Sequence, residues 1–203
     1  RLAGEDEKIY AGCWVARLRG RIIAQGGTPE HVRQAAQYRY KETPEIVFMP
    51  TNFPLTFPPI LDTVRAALPD GLTVYLVGGA VRDALLGRPI HDLDFVLERE
   101  AIKIGRRVAN TLSADFYPLD PQRDTGRVIV GNKEGTRSLL DFAAFRGPDL
   151  EADLLGRDFT LNAIALNLRD NTIHDPLGGA MDLKEKRLRA CSPSTFADDP
   201  VRI

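Results

Sequence analysis

Two aspartates, Asp92 and Asp94, alternate at the head of an apolar stretch that continues through Phe95-Val96-Leu97. On a strand, alternate residues share a face. The pattern therefore sets the two carboxylates side by side while Leu93 and Phe95 enter the core. Ionised carboxylates that close repel each other, and loss of water makes the conflict worse. A divalent cation resolves it, and Mg²⁺ suits the donors best, because it takes hard oxygen ligands and completes its octahedron with substrate phosphates. A third acid, Asp141, lies alone in the apolar run Ser138-Leu139-Leu140-Asp141-Phe142-Ala143-Ala144-Phe145. Such an acid is costly there unless paired or metal-bound. Asp92, Asp94 and Asp141 around two Mg²⁺ ions would make a phosphoryl-transfer site, one ion activating a hydroxyl and the other stabilising a leaving pyrophosphate. Taken singly, the acids also read as solvated or hydrogen-bonded strand ends.

Upstream, a strand-like run, Val74 to Val77, feeds into Gly78-Gly79-Ala80-Val81-Arg82-Asp83. Without Cβ atoms, Gly78 and Gly79 let the backbone turn sharply and approach a ligand. A helix starting there presents unpaired N–H groups, which favour phosphate. Arg82, one turn in, adds a charged fork for a triphosphate oxygen, and Asp83 is a candidate partner for an arginine or for the turn. By itself the glycine pair is an ordinary strand–turn–helix corner. A fourth segment, Gly156-Arg157-Asp158-Phe159-Thr160-Leu161-Asn162-Ala163, reads as helical. Asp158 and Asn162 would then share one polar face with Arg157 beside them, able to hold ribose hydroxyls and phosphate.

The elements that must position these residues follow from pattern. Residues 13–18 and 21–25 read as two strands joined at Arg19-Gly20. Thr28-Pro29-Glu30 opens a helix running to about Tyr40, and Glu45 to Met49 gives a third strand. A Pro-rich linker from Pro50 to Pro59 follows, so we place a domain boundary at 52/53, with a small hairpin–helix–strand module over 1–52 and the chemistry in 53–203. The second unit reads as helix 60–68, strand 73–77, helix 80–86, strand 92–97 and helix 100–112. Strands near 115–119, 127–131 and 137–145 come next. A helix from Glu151 to about Ala165 then continues into a strand to Leu168. Short strands at 173–176 and 188–190 flank a helix near 180–186. This is α/β (α+β) with a mixed sheet, and consecutive strands between 115 and 145 argue against a regular doubly wound fold.

Composition bounds the rest. The 203 residues are 43% hydrophobic and 27% charged, with a net charge of −1. These values suit a soluble globular chain and give no global basic field. Arginine outnumbers lysine, and arginine is the better bidentate phosphate clamp. Cys13 and Cys191 lack ligand-like spacing and read as small hydrophobes. No apolar run is long enough to span a membrane, and no signal peptide is evident, so the expectation is a cytoplasmic protein without a membrane partner. Both ends read as cuts through a longer chain. Trp14, Tyr10, Tyr38 and Tyr40 read as packing aromatics rather than base-stacking ones. Arg17, Arg19, Arg21 and Arg33 could form a local basic face. The histidines carry no supported nucleophilic arrangement.

The ordered motifs resemble a known family. Leu76-Val77-Gly78-Gly79-Ala80-Val81-Arg82-Asp83-Ala84-Leu85-Leu86-Gly87 followed by Asp92-Leu93-Asp94 is similar to the head-domain signature of bacterial-type tRNA nucleotidyltransferases (CCA-adding enzymes) and poly(A) polymerases. Arg157-Asp158-Phe159-Thr160-Leu161-Asn162-Ala163 resembles the family's ribose-recognising motif. Asp175-Pro176-Leu177-Gly178-Gly179 with Asp182-Leu183, then Phe196 to Ile203, is similar to its exit toward a neck domain. The resemblance covers about residues 70–203. It implies the polymerase β-like nucleotidyltransferase fold and transfer of AMP or CMP from ATP or CTP to the 3′-OH of tRNA or another RNA. It implies that Asp92, Asp94 and Asp141 bind two Mg²⁺ ions. Gly78, Gly79 and Arg82 would hold the triphosphate, with Arg157, Asp158 and Asn162 around the sugar and phosphates. Gly156 stands where the family usually has a second arginine, and the stretch from Asp141 to Asp153 is short. Base selection in the family lies in the neck, so the expectation for these residues alone is weak binding and little selective polymerisation. Two other readings stay open: a small-molecule nucleotidyltransferase on the same fold, and a degenerate domain kept for nucleotide or RNA binding. CC, A, CCA or poly(A) addition is not separable from these residues, nor is the oligomeric state.

Overall fold

The computed structural model describes residues 10, 13–27, 29–49, 55–131, 137–193 and 195. The closing motif from Phe196 and the first half of the Pro-rich stretch, residues 50–54, lie outside them. The first elements are β1 (Trp14–Leu18), β2 (Arg21–Gly26), α1 (Pro29–Arg39) and β3 (Glu45–Phe48), in a three-stranded antiparallel sheet ordered β2-β1-β3. Val32 and Ala36 of α1 are buried against Ala16, with Trp14 packed alongside. Tyr10 is buried with Val15 and Met49. Tyr38 and Tyr40, by contrast, lie on the surface.

The remaining elements are α2 (Ile60–Ala67), β4 (Tyr75–Val77), α3 (Gly79–Leu85), β5 (Leu93–Leu97), α4 (Ala101–Leu112), β6 (Asp115–Asp120), β7 (Thr125–Gly131) and β8 (Arg137–Ala144). After them come α5 (Leu150–Leu155), β9 (Ala165–Asn167), β10 (Ile173–His174) and α6 (Gly179–Lys184). The sheet is mixed, in the order β10-β9-β4-β5-β8-β7-β6. Among the described residues only β5 and β8 run parallel; the crossover between them contains α4 and the β6–β7 hairpin. The strand succession expected between 115 and 145 is therefore a meander on one flank of the sheet.

Alternation sorts the sheet's two faces. Leu76, Leu93, Phe95, Leu97, Leu140 and Phe142 point into the main core with Ile104 and Val108 of α4, and Phe95 stacks on Phe142 at a centroid distance of 4.7 Å. The other face carries Val77 and Val96, covered by Leu154 and Ala163. Helix α4 gets its N-terminal cap from outside itself. Glu100 makes no side-chain cap, while Asp124, in the β6–β7 turn, accepts the N–H groups of Ala101 at 2.7 Å and Ile102 at 2.9 Å.

Two expectations fail here. The helix expected from Glu151 to Ala165 ends at Leu155. Asp158 accepts a hydrogen bond from the next backbone N–H, that of Phe159, at 2.7 Å, a local alternative that competes with a helical ladder. Phe159 is extended and forms a single bridge with Ala190; Thr160–Asn162 is one 3₁₀ turn. That bridge is all that forms of the strand expected at 188–190.

Candidate functional site

One row of side chains crosses the sheet. Arg127 faces Asp141 in the β7–β8 ladder, Asp141 faces Asp94 across the parallel β5–β8 pair, and Asp94 faces Val77 across β4–β5. Residues directly opposite one another project to the same face. The register thus brings Asp94 beside Asp141, on the face away from the main core. Asp92 lies one residue before β5, where its charge bears on Asp94 and its Oδ1 accepts the Leu139 N–H at 3.2 Å.

The electrostatics of the row are uneven. Asp94 reaches the surface, yet protein packed about its carboxyl strips away water, and this raises its pKa above the ordinary value. The charges of Asp141 and Asp92 push the same way, against Arg157 and Arg127. Asp141 has a partner: Arg127 Nε donates to Oδ1 and Nη2 to Oδ2, both at 2.7 Å. This two-pronged fork is the strong form of an ion pair. The sequence reading missed Arg127, because the β7–β8 register that pairs 127 with 141 is set only when the two strands fold together.

The glycine corner adjoins the row. Gly78 has φ 71° and ψ −139°, a region open essentially to glycine alone. A Cβ there would sit 3.4 Å from Asp94 Oδ2 and 3.5 Å from Arg157 Nη1, so acid, guanidinium and bare backbone converge at this point. Arg157 does not join Asp158 and Asn162, as the helical reading expected. Its Nε and Nη2 donate to Oδ2 of the buried Asp153, at 3.3 and 3.0 Å.

Arg82 anchors a second cluster. Its Nε and Nη2 fork onto Asp83 at 2.9 Å each, and Nη1 donates to Asn162 Oδ1 at 2.8 Å. Asn162 Nδ2 in turn donates to Asp158 at 3.1 and 3.2 Å. Asp158 and Asn162 do meet, through the tight turn and not through helical spacing. The cluster is held from behind by Thr160, whose hydroxyl donates to the buried Asp182 at 2.6 Å, and by α6, whose Gly179 leaves no room for a Cβ against the Thr160 carbonyl.

In kind, the donors suit a hard divalent cation. Asp92, Asp94 and Asp141 supply oxygen only, and a cation would relieve the repulsion felt by Asp94. In arrangement they stop short of it, since both Asp141 oxygens face Arg127. Among the described residues no group of three or more His, Cys, Asp or Glu side chains is set to hold a metal. No helix among the described residues is long and apolar enough to cross a membrane.

Residues 74–189 match the family model for the poly(A) polymerase head domain. The chain is 44% identical over 133 residues to the CC-adding tRNA nucleotidyltransferase of Geobacter sulfurreducens, a match covering 66% of this chain and 30% of the relative. It is 38% identical over 149 residues to the A-adding tRNA nucleotidyltransferase of Aquifex aeolicus, covering 65% of this chain and 17% of that protein. A solved tRNA nucleotidyltransferase in complex with a primer tRNA and an incoming ATP analogue superposes with a TM-score of 0.59 at 36% identity, over 69% of this chain and 42% of that one. The chain thus spans under a third of the length of these two curated relatives. The seven-stranded mixed sheet is the head fold of these enzymes.

Proposed function

The chain belongs to the poly(A) polymerase head-domain family of tRNA nucleotidyltransferases, and from that premise we propose that it carries the catalytic half of an RNA 3′-end nucleotidyltransferase. The reaction is template-independent transfer of AMP or CMP to the 3′-OH of tRNA or another RNA. The 3′ oxygen attacks the α-phosphorus of ATP or CTP; a new P–O bond forms, the α–β bridging bond breaks and pyrophosphate leaves. The observation that carries this reading is the register pairing of Asp94 with Asp141 beside the Gly78 corner.

Asp92, Asp94 and Asp141 are the proposed catalytic acids and the ligands of two Mg²⁺ ions, which when bound would acidify the attacking hydroxyl and stabilise the pyrophosphate. Gly78 and Gly79 let the triphosphate approach the backbone. Arg82 offers its charge to the triphosphate while Asp83 fixes its plane. Asn162 and Asp158, already hydrogen-bonded to each other, present amide and carboxylate to the ribose. Arg157, buttressed by Asp153, points its Nη1 toward the same corner. Residues 1–52 remain, in this proposal, a separate module of unassigned role, and the chain has no membrane partner.

Titrating Mg²⁺–ATP and Mg²⁺–CTP into the chain, and into its Asp92→Ala, Asp94→Ala double variant, tests the proposal. Binding should be measurable in the first and lost in the second; equal heats in both overturn it. Single-nucleotide extension of tRNA acceptors ending before, within and after CCA then reads which nucleotide is added. One observation favours a second reading, binding without turnover: both oxygens of Asp141 are engaged by Arg127. Nucleotide binding with no extension of any acceptor by the complete protein would select it.

A further inference from the structure

The Arg127–Asp141 fork lies inside the proposed site, and it faces the donors a cation would need. It is a cross-strand pair set by the ladder register, not a chance surface contact. Both side chains are partly covered, Arg127 34% and Asp141 25% exposed, so the pair is neither fully screened by water nor sealed away. The guanidinium also sits within the field of Asp92 and Asp94. Elsewhere in the site each arginine braces an acid outside the carboxylate row: Arg82 holds Asp83 and Arg157 holds Asp153. Arg127 alone among these takes an acid of the row itself.

Resting on the nucleotidyltransferase reading, we propose that Arg127 is a displaceable counter-ion. It pairs with the third carboxylate when no cation is bound, neutralises the crowded acids, and must leave Asp141 before a divalent cation can be held by all three. Arg127 is thus a positioning residue that sets a threshold for metal loading. Two physical facts make the exchange feasible. The fork is bidentate, but its partial exposure lets water screen the pair and solvate both groups once they part, so breaking it costs less than breaking a sealed pair. A divalent ion carries twice the charge of a guanidinium and accepts oxygens from several acids at once, so it wins once its concentration suffices. The pair keeps the acid row compact without metal, and withholds the complete ligand set until the metal reaches that concentration.

The test measures Mn²⁺ bound to the full chain without nucleotide, by the loss of free-ion electron paramagnetic resonance signal. Arg127→Gln should bind Mn²⁺ about three- to tenfold tighter than the unaltered chain, the range expected when a half-buried pair no longer has to break. Simple removal of a positive charge would also tighten binding, so the comparison is repeated in the Asp141→Asn background. There the Arg127→Gln gain should largely vanish; a gain of the same size in both backgrounds overturns the proposal. Arg127→Lys keeps the charge but loses the fork, and should show a smaller gain. Tightening for Gln with none for Lys also overturns it. If the unaltered chain and every variant fail to bind Mn²⁺ even at saturating nucleotide, the nucleotidyltransferase reading fails, and the counter-ion proposal with it. Binding without an Arg127 effect sinks the counter-ion proposal alone.

Discussion

Asp94 is the residue at which stability and the proposed function oppose each other. Lost hydration and the neighbouring charges of Asp141 and Asp92 raise its pKa, so in metal-free protein its ionised form is a burden on the fold. The sign follows from linkage: a carboxyl whose pKa is raised on folding favours the folded state at acid pH, and that contribution is lost as pH rises through the folded-state value. Asp94→Asn should therefore raise the melting temperature of the metal-free chain near neutral pH while abolishing Mg²⁺-dependent nucleotide binding. Calorimetry without divalent ions, followed by nucleotide titration, reads both; a lower melting temperature would contradict the electrostatic account.

At the scale of elements, the site depends on how neighbouring pieces end. Helix α4 follows β5 directly and is capped by Asp124 from a turn distant in sequence. Asp124→Ala should cost about 1–2 kcal/mol, seen as a lower urea midpoint, with faster amide exchange at Ala101 and Ile102. If the midpoint holds, the cap is ornamental. The corner between β4 and α3 makes a different demand. Gly78→Ala asks a side-chain-bearing residue to adopt φ 71°, costing about 1–3 kcal/mol, and sets a methyl between Asp94 and Arg157. Weaker nucleotide binding should accompany the loss of stability, measured by titration at a temperature where both proteins are folded. The turn at Thr160–Asn162 teaches a related lesson. Four-residue spacing suggested a helical face for Asp158 and Asn162; the two are together because Asp158 bonds the backbone N–H beside it and breaks the helix.

Across the whole molecule, polar contacts tie the first sheet to the second. Gln25, on β2, donates to Oδ2 of the fully buried Asp175 at 3.2 Å, and the Tyr10 hydroxyl lies 3.5 Å from Met181 Sδ. Burial pushes the Asp175 pKa up to about 6, against the N–H groups of Ala180, Gly179 and Gly178 that favour its charged form. Its contribution thus favours folding below the unfolded value of 3.8 and is lost as pH climbs toward 6. Gln25→Ala removes a donor that matters most to the ionised carboxylate. The penalty should be about 1–2 kcal/mol at pH 7 and clearly smaller at pH 5, in urea unfolding at each pH. An equal penalty at both would mean that Gln25 acts by packing alone.

Alternation and punctuation, read from the chain alone, determined the mixed α/β class, the glycine corner after β4, and the split of β5 into core-facing Leu93 and Phe95 and outward Asp94. These are local matters, settled by strand period and by the backbone freedom of glycine. What pairs with what was left to the tertiary structure. Placing Asp141 beside Asp94 needs the parallel register of two strands separated by a helix and a hairpin, and no local pattern encodes that distance. The same holds for Arg127, which nothing in Thr125-Gly126-Arg127-Val128 marks as special until β7 folds back on β8. It holds also for Arg157, whose buried partner Asp153 lies across a helix end that the periodicity ran straight through. Local preference fixes which way a side chain points; only the summed packing of distant strands decides what it points at.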